Sequence, residues 1–136
     1  MKNNLLKLLL LCLSLPVCAE VAVIVHPSNS NVIDEAFIKK AFTGKIKSFG
    51  NGDSVIAINQ ENGNKSVEEF NEKLLNKSSS QLKAYWSKQI FTGKGTPPKE
   101  LSNNDEVIKL VSTNPNLIGY IDSTAINSTV KVVGKY

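Results

Sequence analysis

Arginine is absent from this sequence, histidine occurs once, and both cysteines lie within the first 19 residues. All sixteen basic residues are lysine, which lacks the planar fork with which arginine contacts bases and phosphates in pairs. We therefore expect no nucleic-acid partner. Residues 20–136 have no thiol, which excludes from this part a disulfide framework, a cysteine-ligated metal and a cysteine nucleophile.

The longest apolar run lies at the N-terminus. It covers residues 5–17, follows Lys2, contains Lys7 and ends close to Ala19, a small residue of the kind that precedes a signal-peptidase cut. A run of this length is too short to span a bilayer as a mature helix. A buried core helix is the alternative, but such a helix would not be apolar all round. We predict a signal peptide over residues 1–19 and export to the periplasm.

Cys18 raises the question of a lipid anchor. A lipoprotein signal has a small residue directly before the modified cysteine, whereas Val17 is branched. We therefore favour cleavage after Ala19 over lipidation of Cys18. The remaining chain, residues 20–136, is long enough for one domain with one core and has no further apolar run of membrane-spanning length.

Strand and helix signals alternate along residues 20–136. Apolar, β-branched runs predict strands at Val21–Val25, Ser54–Asn59, Leu117–Ile121 and Thr129–Val133. Helix starts are predicted at Asp34, at Ser66 with Glu69, at the serines 78–80, and at Asn103 with Glu106. In the third helix the inward residues would be Leu82, Tyr85, Trp86 and Ile90. The alternation predicts one α/β domain, with a small mixed or parallel sheet flanked by about four helices.

Few residues suggest enzyme chemistry. His26 could polarise Ser28 or Ser30, but its position at the end of an apolar strand favours a structural role. The carboxylates of residues 68–72 lie between lysines and are typical of a solvated helix face. With one histidine and no acidic spacing of the EF-hand type, we predict no catalytic residue, no metal site and no cofactor.

One segment, residues 59–70, has a pattern with a definite binding geometry. A strand ends there, a loop with Gly63 turns, and a helix begins near Ser66. The unpaired backbone amides at a helix start favour an anion. Lys65 and the Ser66 hydroxyl would add donors.

Four motifs, in order, resemble the substrate-binding component of the ABC phosphate transporter, and more closely the short stand-alone relatives of that component in proteobacteria. They are VIVHPSN at 23–29, IKKAFTGKIKSF at 38–49, the YW and IFTG pair within 85–93, and NPNLIGY at 114–120. The resemblance covers nearly all of the chain after the leader. It implies a single lobe of a type II periplasmic-binding-protein-like fold, non-catalytic, with phosphate or another small oxyanion as its ligand.

The resemblance also implies where the ligand would lie. In the family this lobe contributes an arginine at a strand end and a Ser-Gly-Thr at the next helix start. Alignment on Phe70 places Gln60 at the arginine and Asn64, Lys65 and Ser66 at the other three positions. Gln60 brings no charge and carboxylates surround the helix start, so we expect weak binding.

The first lobe of the family is also missing. The other wall of the cleft would then come from a second copy or from another envelope protein. The alternative is that the lobe has lost ligand binding and serves as a protein-interaction module of the cell envelope.

Overall fold

The computed structural model describes residues 20–136, so the predicted leader and the question of lipidation at Cys18 lie outside the described residues. Five strands are present: β1 Val21–Val25, β2 Ile56–Gln60, β3 Lys99–Leu101, β4 Leu117–Asp122 and β5 Lys131–Lys135. The α-helices are α1 Glu35–Phe42, α2 Lys65–Phe70, α3 Ser79–Phe91 and α4 Asn104–Thr113. A π-helical turn, Asn71–Leu75, continues α2 without a break, and a 3-10 turn follows β4 at Ser123–Ala125.

The strands form one mixed sheet in the order β3-β2-β4-β1-β5. β2 pairs in parallel with both β3 and β4, whereas β1 pairs antiparallel with β4 and β5. The predicted α/β class with a small mixed sheet is therefore confirmed. β1 is apolar at every position and fully buried, because both of its edges are paired and both of its faces are covered.

Helices cover the two faces of the sheet and form two cores. On one face, α1 and α2 pack on alternate residues of β1 and β4, with Ile38, Phe42 and Phe70 at the centre. On the other face, α4 packs on the remaining residues of the same strands through Val107 and Val111. The strand period of two thus divides β1 and β4 between the two cores.

The two ends of the described chain meet. The Val21 amide donates to the Tyr136 carbonyl at 2.9 Å, and the Tyr136 amide donates back to the Val21 carbonyl at 3.0 Å. They extend the ladder between β1 and β5.

Several sequence predictions agree with the structure. Asp34 caps α1 by accepting the Phe37 amide at 2.8 Å, and Asn103 caps α4 by accepting the Glu106 amide at 2.9 Å. Ser78 caps α3 in a full capping box with Gln81. Leu82 is buried as predicted, at 8% exposure. These signals are local, which is why they can be recognised along the sequence.

Two helix predictions are wrong. α2 does not begin with a capping box of Ser66 and Glu69; it begins at Lys65 with Asn64 as its N-cap, and Ser66 is buried in the first turn. Packing of Val67 and Phe70 on the sheet fixes this start. Ile90 was expected inward but is 55% exposed, because the buried residue of α3 is Leu82, near the start of the helix, and Ile90 lies at its far end.

Strand bounds also differ from the prediction. β2 and β5 each begin two residues later than predicted, at Ile56 and Lys131. β3 was not predicted, because its sequence Lys-Glu-Leu has no alternation of apolar and polar residues. It is a strand because the outer edge of β2 is free to pair with it.

Candidate functional site

The predicted site lies where the carboxyl ends of the parallel strands β2 and β4 meet the starts of α2 and α4. Gln60 is the last residue of β2 and Asp122 the last of β4, while Asn64 precedes α2 and Asn104 begins α4. In open α/β sheets, ligands bind beyond the carboxyl ends of the strands. The fold therefore brings the four predicted residues, Gln60, Asn64, Lys65 and Ser66, to an edge of the kind that binds ligands.

Gln60 is 2% exposed, and its side chain is fully occupied inside the protein. Its Nε2 donates to Asn104 Oδ1 at 3.0 Å and to the Tyr120 carbonyl at 2.9 Å. Its Oε1 accepts from Asn64 Nδ2 at 3.2 Å. Both amide donors are used, so Gln60 ties β2 to β4 and α4 and does not present a donor to solvent.

Asn64 is also turned toward this cluster. Besides its bond to Gln60, Nδ2 donates to the Ser102 carbonyl at 2.9 Å. The Asn64 side chain makes no capping bond to α2, in contrast to the N-cap side chains of α1, α3 and α4. The first amides of α2 are consequently left without a side-chain acceptor from their N-cap residue.

Lys65 and Ser66 differ in their access to solvent. Lys65 is exposed, whereas Ser66 is 6% exposed. The Thr124 amide and hydroxyl both donate to Asp122 Oδ1, at 2.9 and 2.7 Å, and these bonds, helped by the charge of Lys65, lower the pKa of Asp122. The one predicted cation of the site is therefore close enough to a carboxylate to interact with it, which weakens the field it offers to an anion.

Tyr120 contacts α2 through its ring and the end of β2 through its hydroxyl. Its ring stacks on Phe70 with centroids 3.9 Å apart, and its hydroxyl donates to Asn59 Oδ1. Asn59 Oδ1 also accepts the Gln60 amide at 2.8 Å. Burial raises the pKa of Tyr120 far above its ordinary value, so the hydroxyl stays protonated and keeps its donor role. We call Asn59, Gln60, Asn64, Asn104 and Tyr120 the strand-end cluster.

Asn104 and Tyr120 were missed at the level of sequence. Asn104 Oδ1 accepts from both Gln60 Nε2 and the Asp122 amide, at 3.0 and 3.2 Å. A signal exists in hindsight: Asn104 directly follows the predicted cap Asn103, and helix starts and strand ends meet at one edge in this class of fold.

Two cavities border the π-helical turn, and the second also reaches Asn59 of the strand-end cluster and Asn62 of the β2–α2 loop. Their volumes are about 580 and 370 Å³, and Asn71 lines both. Asn71 is 3% exposed, and its Oδ1 has no hydrogen-bond partner among the described residues. None of the four predicted site residues lines either cavity.

His26 follows β1, as predicted, and its contacts stay within one turn. Its Nδ1 lies 2.7 Å from Ser28 Oγ and accepts the Ser28 amide at 3.1 Å. Residues 20–136 contain no cluster of three or more His, Cys, Asp or Glu side chains arranged to hold a metal ion. None of the helices within residues 20–136 is both long and apolar enough to cross a membrane.

Comparison with known proteins gives a match in structure only. No family model matches the chain, and no curated protein does. Among solved structures, an ABC-type phosphate transport receptor from Vibrio cholerae superposes with a TM-score of 0.66 at 14% identity, over 85% of this chain and 45% of that one. A putative phosphate ABC transporter substrate-binding protein with bound phosphate from Clostridium perfringens gives 0.63 at 20% identity, over 85% and 44%. PstS from Borrelia burgdorferi gives 0.64 at 19% identity, over 85% and 47%.

These likenesses show that the chain shares the fold of part of each of these proteins. More particularly, its structural neighbours here are phosphate-transport proteins, as the resemblance in sequence led us to expect. The chain spans less than half the length of each of the three proteins. At these identities the shared property is the fold.

Proposed function

We propose that residues 20–136 form an exported, non-catalytic, single-lobe binding-protein-like domain that binds phosphate or another small oxyanion weakly, after removal of a signal peptide over residues 1–19. The observation that carries the proposal is the fold, which is shared with a protein that holds phosphate. The start of α2 beside the end of β2 supports the same site. Transport of phosphate with a membrane transporter would be the corresponding role.

Within this proposal the four site residues divide into two pairs. Lys65 and the first amides of α2 supply the donors, since Lys65 is exposed and the Asn64 side chain does not cap the helix. Gln60 and Asn64 hold the β2–α2 loop in position, since their side chains are bonded to each other. The Ser66 hydroxyl, buried in the first turn, is a contact only for an oxyanion seated directly on the helix start.

Weak affinity follows from the surroundings of the site. Glu61 and Asp122 border the helix start, and Lys65 already interacts with Asp122. An anion on one lobe keeps part of its water shell, and the solvent screens its charge-assisted hydrogen bonds. We expect a dissociation constant on the order of millimolar at low salt.

Calorimetric titration of residues 20–136 with phosphate at low salt tests the proposal, with sulfate as the competing anion. Saturable binding is expected, reduced about fivefold or more in Lys65→Gln, because one charge-assisted contact is lost. Lys109→Gln, which removes the same charge from the exposed face of α4, is the matched control and should bind as the parent does. Absence of saturable binding, or equal binding by the two variants, would contradict the site.

The second candidate is a protein-interaction module that has lost ligand binding. It is favoured by one observation, that both donors of Gln60 are consumed inside the protein. A photo-reactive amino acid at Asn62, in the exposed β2–α2 loop, would then form a specific cross-link to an envelope protein in cells. The same probe at Lys109 is the control. Cross-links of equal pattern from both positions would count against this candidate.

A further inference from the structure

Charge is distributed unevenly over the molecule. Residues 77–99, which we call the α3 segment, contain five lysines and no acidic residue. The rest of the described chain contains nine lysines and all twelve acidic residues. The α3 segment therefore carries a net charge of +5, and the remainder of residues 20–136 carries −3. The basic character of the chain after its leader resides in this one segment.

The same segment has the most exposed aromatic side chain of the described residues. Phe91, at the last position of α3, is 92% exposed, and its neighbour Ile90 is 55% exposed. The turn after them is open as well: Gly93 has a φ of +70°, and a Cβ there would meet no atom within 4 Å. Phe91 thus stands at a protruding corner.

Lysines lie on both sides of this corner. Lys88 is three residues before Phe91 and on the same helical face, and Lys94 is three residues after it, beyond Gly93. Both are exposed, as are Lys83 and Lys99. None of these four lysines forms a salt bridge within the described residues.

We infer that the α3 segment docks on the surface of a bilayer rich in anionic phospholipid, with Phe91 and Ile90 inserted at the level of the head groups. Two features favour a bilayer over a protein partner. The corner formed by Lys88, Phe91 and Lys94 carries charge of one sign and so matches a uniformly anionic plane, whereas protein interfaces combine charges of both signs. A protruding phenyl group flanked by lysines can enter the head-group region while the ammonium groups stay in water beside the lipid phosphates.

Vesicle co-sedimentation of residues 20–136 tests the inference, with vesicles of equal parts phosphatidylglycerol and phosphatidylcholine and vesicles of phosphatidylcholine alone. Binding is expected to the anionic vesicles at low salt and to fall at high salt. Circular dichroism of each variant confirms that it is folded. Equal binding to both vesicle types, or no binding to the anionic ones, would overturn the inference.

Variants separate the two parts of the contact. Lys88→Gln with Lys94→Gln should lower partitioning on the order of twentyfold, since each lysine near an anionic surface gives about fivefold. Phe91→Ser should lower it about tenfold through loss of the inserted ring. The matched controls are Lys109→Gln with Lys135→Gln, and Val32→Ser, which removes a side chain that is 91% exposed elsewhere.

The pattern of losses decides between partners. Reduced binding in both test variants, with each control within about twofold of the parent, supports docking on a bilayer. Binding that depends on Lys88 and Lys94 but not on Phe91 would indicate general attraction to polyanions, such as an acidic protein or a nucleic acid, and would overturn membrane insertion.

Discussion

The strand-end cluster buries a polar side chain, whereas the α3 segment exposes an apolar one. At the cluster, Gln60 is buried and each of its hydrogen-bonding atoms has a partner within the protein. In the α3 segment, Leu82 is the only buried residue of the helix, while Ile90 is half-exposed and Phe91 projects into solvent. The Gln60 side chain is therefore not available to a ligand, whereas the outer end of α3 is open to solvent.

This difference concerns how each region is attached. The cluster connects the ends of β2 and β4 to the starts of α2 and α4. Each of its hydrogen bonds needs both partners, so the loss of one side chain leaves another unpaired. The α3 helix is held by the buried side chain of Leu82, by the Tyr85 hydroxyl, which donates to the Thr43 carbonyl at 2.6 Å, and by Trp86, which lies against Gly44. Substitutions in the strand-end cluster should therefore lower the stability of the fold. Substitutions on the outer face of the α3 segment should change only its contacts with a partner.

The largest expected effect is at Gly119 of β4, next to Tyr120. A Cβ at this position would lie 2.8 Å from Val107 Cγ1 and 3.4 Å from Val111 Cγ2, so Gly119→Ala forces the Val107 side chain or the α4 backbone to shift. We expect a loss of about 2–3 kcal/mol in the free energy of unfolding, measured with urea. Gly95→Ala is the control in the α3 segment, where the nearest atom to a new Cβ is Trp86 Cζ3 at 4.0 Å. If the two variants were equally stable, β4 would not be packed more tightly against α4 than the α3 segment is against its neighbours.

Gln60→Ala should have the next largest effect. It leaves Asn104 Oδ1, the Tyr120 carbonyl and Asn64 Nδ2 each with one partner fewer in a buried place. We expect a loss of about 2 kcal/mol in the same urea experiment. Gln89→Ala, on α3, removes a glutamine whose side chain makes no hydrogen bond to the described residues and should stay within about 0.5 kcal/mol of the parent. If the Gln60 variant were as stable as this control, the cluster would not hold the edge.

Tyr85→Phe tests the attachment of α3. Loss of the bond to the Thr43 carbonyl should cost about 1 kcal/mol, because the acceptor is partly buried. Tyr136→Phe removes a hydroxyl that donates no hydrogen bond to the described residues and serves as the comparison. A drop in stability equal to that of Gln60→Ala would show that α3 is bound as firmly as the cluster.

The smallest effect should be the pH dependence contributed by Asp122. The bonds from Thr124 and the charge of Lys65 lower the pKa of this carboxyl in the folded state. Its contribution to stability is therefore present above the unfolded pKa of about 3.9 and is lost as the pH falls toward the folded pKa. The difference in melting temperature between the parent and Asp122→Asn should shrink on acidification through this range. A difference that does not change with pH would contradict the lowered pKa.

Sequence patterns predicted those parts of the fold that are decided locally. β1 and β4 are long apolar runs, and the caps at Asp34, Ser78 and Asn103 each satisfy an amide three residues away. β3 escaped prediction because its pairing depends on β2, not on its own residues. The exposure of Ile90 was not predicted, because helical periodicity shows which face of a helix is apolar but not how far along the helix that face is covered.

The landmarks grouped Gln60, Asn64, Lys65 and Ser66, and in the structure these residues lie between the end of β2 and the first turn of α2. Their role as a ligand site stays a prediction. The occupation of Gln60 depends on Asn104, which is 44 residues away in sequence and becomes a neighbour only when α4 packs on the sheet. The charge of the α3 segment was visible in the sequence, but its meaning depended on the exposure of Phe91.

The polypeptide enters and leaves the described fold at neighbouring points, because Val21 and Tyr136 exchange two backbone hydrogen bonds. A unit with such ends can be inserted into a surface loop of a host protein without forcing the host's flanking residues apart. The same proximity allows circular permutation, in which a short linker joins the two ends and new termini open in an exposed loop such as residues 50–53. This fold can therefore be connected to a host protein through both of its ends at the same time.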